Sequence, residues 1–162
     1  ASDRKSMPDS LRIEVSLPSN RALPGWLRLL DARGNPLYAC PCLGKADNAE
    51  AIARRNPTRD PLLPFGDTPL GQWEGRISAK PMADTAVYGV NRVITLRAVG
   101  GDALQAAKNG RAGIWIHGGS TRMGRLRPTY GCVRVADEHM AALLKILDQH
   151  PAPWVPIETR AV

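Results

Sequence analysis

The stretch Thr129-Tyr-Gly-Cys-Val-Arg134 sets a thiol directly after a glycine and two residues before an arginine, and His117-Gly118 supplies an imidazole upstream. A thiol is mostly protonated at neutral pH, so a nucleophilic cysteine needs a neighbouring base or cation. Imidazole titrates near neutrality; it can accept the thiol proton and return it to a leaving amine. Gly118 has no side chain to hold its carbonyl away from the ring, so that carbonyl can orient the His117 tautomer. Tyr130-Gly131-Cys132 stand at the entrance of a strand, where backbone N–H groups can point at a developing oxyanion. Arg134 presents a fork of donors suited to gripping a substrate carboxylate at two points. Taken singly, each residue has a bland reading as a small core cysteine or a satisfied strand polar group. Taken together they point to acyl transfer through a cysteine nucleophile.

Such a site needs strands that bring the two ends together. Ile114-Trp-Ile-His117 reads as one short strand and Cys132-Val-Arg-Val135 as another. Alternation puts Trp115 and His117 on one face and Ile114 and Ile116 on the other; Cys132 and Arg134 likewise oppose Val133 and Val135. With the branched residues in the core, His117, Cys132 and Arg134 line one cleft. Upstream, Trp26–Leu30 and Pro36–Cys40 flank Asp31-Ala-Arg-Gly-Asn35 and predict a hairpin. Residues 44–64 form an excursion with a helical turn or two at Ala49–Arg55, followed by the loop Gly66-Asp-Thr-Pro-Leu-Gly-Gln-Trp73. Further strands are expected at Ala86–Val90 and Arg92–Ala98, then a short helix capped by Asp102. A longer helix follows Asp137-Glu138, with Met140, Leu143, Leu144 and Leu147 on one stripe, and Trp154–Ile157 is expected as an edge strand. The result is a mainly β fold, a curled mixed sheet or small barrel with one long C-terminal helix packed on it.

The chain has 162 residues, 43% of them hydrophobic, 23% charged, with a net charge of +7. That length suits one domain. Residues 1–23 are expected as a leader and first strand, partly disordered, and 24–162 as the catalytic domain with its excursion at 45–64. No apolar run is long enough to span a bilayer. The basic charge favours an anionic partner, yet no aromatic-interleaved patch, zinc pattern or recognition helix accompanies it, which argues against nucleic acid. Three cysteines, two of them in Cys40-Pro-Cys42, do not describe a disulfide scaffold, and Cys40 and Cys42 read as semi-buried strand residues. No zinc spacing links the histidines.

His117-Gly118 followed by Thr129-Tyr-Gly-Cys-Val-Arg134, with Asp67-Thr-Pro-Leu-Gly71 after a strand pair, resembles the L,D-transpeptidase (YkuD-type) catalytic domain over roughly residues 24–158. The resemblance implies Cys132 as acylated nucleophile, His117 as base, and Gly118 as the carbonyl that orients it. Tyr130, Gly131, Thr129, Arg134 and Trp115 would shape the oxyanion and substrate subsites. It implies peptidoglycan stem peptides as substrate, release of terminal D-alanine from a tetrapeptide, and transfer to an amine or D-amino acid. It implies no metal or organic cofactor, a place in the periplasm or cell envelope, and a monomer. Water as acceptor would make the protein an L,D-carboxypeptidase. The same chemistry in a secreted cell-wall toxin would bring an immunity or accessory protein as partner, and a module that binds peptidoglycan without turnover is the non-enzymatic alternative. Sortase-like enzymes space His and Cys much farther apart, and papain-like enzymes reverse their order. Two departures stand out: Tyr130 where many members carry a second histidine, and the excursion at 45–64. Arg122, Arg125 and Arg127 lie in the loop between His117 and Cys132, where they can attract stem carboxylates or merely solvate the loop.

Overall fold

The computed structural model describes residues 10–119 and 121–162, so residues 1–9 of the expected leader lie outside the described residues. Eight strands form one mixed sheet in the order β3-β2-β1-β8-β4-β5-β6-β7. They are β1 Arg12–Leu17, β2 Gly25–Leu30, β3 Pro36–Cys42, β4 Gly71–Ile77, β5 Ile94–Gly100, β6 Trp115–His117, β7 Val133–Arg134 and β8 Val155–Ala161. The sheet curls until its two ends touch: Leu43, just past β3, and Arg134 exchange backbone bonds of 2.9 and 3.0 Å. This is the mainly β, nearly closed barrel that the alternating pattern predicts, and closure removes the exposed strand edge at the point where the site is built.

The hairpin forms where its turn chemistry demands. Asp31 Oδ1 accepts the N–H groups of Arg33 and Asn35 at 2.9 Å each, and Gly34 takes a φ of 86°. Among the described residues four helices accompany the strands: α1 Asn48–Ala53, α2 Thr85–Tyr88, α3 Gly101–Lys108 and α4 Asp137–Gln149. The stripe of α4, Met140, Leu143, Leu144 and Leu147, is buried against Ile13, Val15, Leu27, Leu29, Ile94, Ile116, Val133 and Ile157. Cys40 and Cys42 are fully buried in that core.

Some expectations need correction. Residues 86–90 are not a strand: Asp84 accepts the Val87 N–H at 3.2 Å and opens α2, and Gly89 at φ 83° closes it. Asp102 lies in the first turn of α3, whose N-cap is Gly100 with no side-chain bond. At 13 residues α4 is of ordinary length, and the chain runs on from it into β8. That last strand is interior rather than an edge, parallel to β1 and antiparallel to β4. Pro156 is tolerated there because the pairing with β1 starts only at Ile157.

Candidate active site

β6 and β7 run parallel, with Ile116 opposite Val133 and His117 opposite Arg134; the same register puts Cys132 beside Trp115. Ile114, Ile116, Val133 and Val135 face the core. On the other face His117, Cys132 and Arg134 are brought together at 1%, 8% and 4% exposure. Side-chain alternation therefore places them on one face, buried rather than lining an open cleft.

The Cys132 thiol donates to Gly113 O and accepts from Trp115 N–H, both at 3.3 Å. Burial pushes its pKa up to about 11, against the opposing pull of the Trp115 N–H, Arg111 and Arg134. His117 Nδ1 lies 2.6 Å from Gly118 O. A carbonyl only accepts, so Nδ1 carries the proton and Nε2 is left as the acceptor. Burial holds the imidazole down at about 4, so it is neutral at physiological pH. Among the described residues no hydrogen bond joins thiol to imidazole: the sulfur is turned toward the residues leading into β6. Tyr88, at the end of α2, packs edge-on to the His117 ring at 5.1 Å and tilts against Trp115 at 5.3 Å.

Arg134 is the unusual group. Among the described residues its Nε and Nη1 are buried without a hydrogen-bond partner, and burial is the main cause that lowers its pKa, with Arg127 repelling and Asp137 attracting. Its guanidinium passes so close to Gly119, at φ 131°, that no side chain would fit there. Asp137, the first residue of α4, accepts the Gly119 N–H at 3.0 Å and fixes the turn after His117. Arg122 and Arg125 are exposed and pair through their backbones across a tight turn; Arg127 is exposed too and faces Arg134 electrostatically.

The loop carrying Cys132 is braced from within and from the excursion. Thr129 Oγ1 donates to Cys132 O at 2.9 Å and accepts the Gly131 N–H at 3.0 Å. That second bond occupies the Gly131 N–H. Thr68 Oγ1 donates to Gly131 O at 2.7 Å, and Asp47 N–H to Thr129 O at 2.8 Å. Beneath the loop lies Arg111, 8% exposed, donating to the carbonyls of Pro61, Gly66, Asp67 and Tyr130. Tyr130 itself is 61% exposed and tilts against Phe65, the residue just past the excursion, whose ring also carries Arg54. The sequence reading missed Tyr88, Arg111 and Thr68 as site residues, and took Asp137 only as a helix start. Asp84 and Gly89 bracketing Tyr88 are a helix signal that could have exposed the first; a lone arginine after Asn109-Gly110 carries no such signal.

Compared with known proteins, a family model of the L,D-transpeptidase catalytic domain (YkuD) matches residues 35–157. No curated protein sequence matches significantly. In fold the chain is similar to the solved structure of Bd1075 from Bdellovibrio bacteriovorus, with a TM-score of 0.58 and 18% identity, covering 91% of this chain and 46% of that one. The chain thus spans about half the length of that protein.

Proposed function

The chain belongs to the L,D-transpeptidase catalytic-domain family, and on that premise we propose that it acts on peptidoglycan tetrapeptide stems in the cell envelope, with Cys132 as nucleophile and His117 as base. The observation that carries the reading is the pair of donors on buried Arg134 that find no partner among the described residues, next to a buried thiol and a neutral imidazole. Buried donors in a native fold are nearly always paired, so two open ones beside the thiol are available to a ligand. A terminal carboxylate of the stem fits their charge and fork geometry.

In this mechanism the thiol turns about its Cα–Cβ bond away from Gly113 O and passes its proton to His117 Nε2. Sγ bonds to the carbonyl carbon of the diaminopimelate residue. With Gly131 N–H occupied, the N–H groups of Tyr130 and Cys132 are the loop's candidates to receive the oxyanion. Collapse expels D-alanine, whose amine takes the proton from the imidazolium, and leaves a thioester. An amine or water then attacks the thioester, gives its proton to the imidazole, and releases Cys132. Gly118 holds the tautomer, while Trp115 and Tyr88 wall the pocket.

The test is chromatography of muropeptides after incubation with a disaccharide tetrapeptide, alone and with free D-amino acid. Dimers, exchanged stems or tripeptides support the reading and identify the acceptor as amine, D-amino acid or water. Unchanged tetrapeptide, with the protein still sedimenting with sacculi, would favour a binding module without turnover.

A further inference from the structure

Two arginines lie buried close to the cysteine loop and both bind backbone carbonyls, yet they differ in what they face. Arg21 donates to Gly44 O at 3.2 Å and Thr68 O at 2.8 Å, and its charged neighbours are Asp67 and Arg59. Arg111 donates to Pro61 O and Asp67 O at 2.7 Å, Gly66 O at 2.9 Å and Tyr130 O at 3.5 Å. No ion pair within contact distance neutralises it among the described residues; the groups it senses are Cys132, Asp67, Arg21 and Asp60. Its guanidinium lies against Gly131, the residue before the cysteine. A side chain at 131 would collide with Arg111 Nη2 and stand 2.6 Å from Gly66 O. Gly131 holds φ 116°, a conformation that L side chains rarely adopt. The backbone is bent and stripped of a side chain at the spot where the cation comes up beneath the thiol-bearing loop.

We propose that Arg111 is a positioning residue for the reaction: it fixes the Tyr130–Gly131 turn and supplies, at neutral pH, a positive charge that favours the Cys132 thiolate as its proton leaves. The need for such a charge follows from the rest of the pocket. The imidazole is neutral, so no resting imidazolium stabilises a thiolate. The charged and titratable groups that interact with Cys132 are Arg111, Arg134 and Tyr88. His117 faces Arg134 and Asp137. Of the two cations Arg134 has open donors that a carboxylate would occupy and neutralise, whereas among the described residues the hydrogen bonds of Arg111 go to neutral carbonyls. Its charge therefore persists when the pocket is filled. This inference rests on the transpeptidase reading for its role in turnover, but the coupling of Arg111 to the thiol does not.

The experiment is the pH dependence of Cys132 alkylation by iodoacetamide, read by peptide mass mapping so that Cys40 and Cys42 are scored apart. It compares wild type, Arg111→Met, Arg111→Lys and Arg21→Met. Thiolate fraction falls tenfold per pH unit below the midpoint, so a midpoint raised by about one unit in Arg111→Met lowers the rate at pH 8 about tenfold. Arg111→Lys keeps a cation and should recover most of that rate. Arg21→Met should lower the melting temperature without moving the midpoint. A profile for Arg111→Met that superimposes on wild type, or an equal shift in Arg21→Met, overturns the proposal. If Arg111→Met does not fold, Arg111→Gln, which can still donate to the carbonyl cluster, carries the same comparison. Parallel turnover of tetrapeptide should show a fall in kcat with little change in KM. A wild type that turns over nothing sinks the transpeptidase reading, while the alkylation profile still decides the coupling.

Discussion

Replacing Arg134 by methionine should make the protein more stable and less active. Arg134 is 4% exposed, and among the described residues its Nε and Nη1 have no partners. Each unpaired buried donor costs about 1–3 kcal/mol. Methionine of similar reach removes both donors and the desolvated charge, at the expense of the attraction to Asp137. A net gain of about 1–3 kcal/mol raises the melting temperature of a domain this size by about 2–12 °C. Two charge-assisted bonds to a substrate carboxylate are together worth about 3–4 kcal/mol, so kcat/KM for tetrapeptide should fall on the order of a hundred- to a thousandfold. Differential scanning fluorimetry and muropeptide turnover read the two effects on one preparation. A variant that melts several degrees lower, or that keeps its turnover, refutes the argument that those donors await a ligand.

His117 binds its proton near pH 4 in the folded chain against an ordinary 6.5, so on acidification from 6.5 to 4 the unfolded chain takes up that proton first and stability falls. The loss builds to roughly 3 kcal/mol at most, and urea titrations across that range should show it shrinking in His117→Asn. Gly131→Ala combines a φ of 116° with a collision at Gly66 O, and should lower unfolding free energy by about 2–4 kcal/mol in urea denaturation. Asp137→Ala frees the Gly119 N–H and should destabilise the fold by about 1–2 kcal/mol, with Asp137→Asn restoring most of it because the acceptor oxygen remains.

The site was legible in the sequence wherever it depended on alternation along a strand. Trp115, His117, Cys132 and Arg134 share a face because period two leaves no choice once Ile116 and Val133 enter the core. The hairpin was legible for a similar local reason, since Asp31 and Gly34 write the turn into five residues. What escaped depends on distant pairing. Nothing near Trp154–Ile157 says that β1, from the other end of the chain, will lie beside it and bury it. Arg111 and Thr68 reach the cysteine loop across the barrel, so their roles appear only when residues 61–68 and 129–132 are brought together. The 86–90 segment was misread because apolar residues in a short run fit either period, and the deciding signal was its caps, Asp84 and Gly89. The thiol's own bonds, to Gly113 O and Trp115 N–H, were invisible to motif and spacing alike.

The central claim, a thioester on Cys132, is tested most directly by intact-mass spectrometry of the protein quenched in acid during turnover of a disaccharide tetrapeptide. Wild type should gain the mass of the donor less D-alanine, mapped to the peptide containing Cys132, and Cys132→Ala should show neither adduct nor product. An adduct on another residue, or tetrapeptide turnover that survives in Cys132→Ala, would contradict the account.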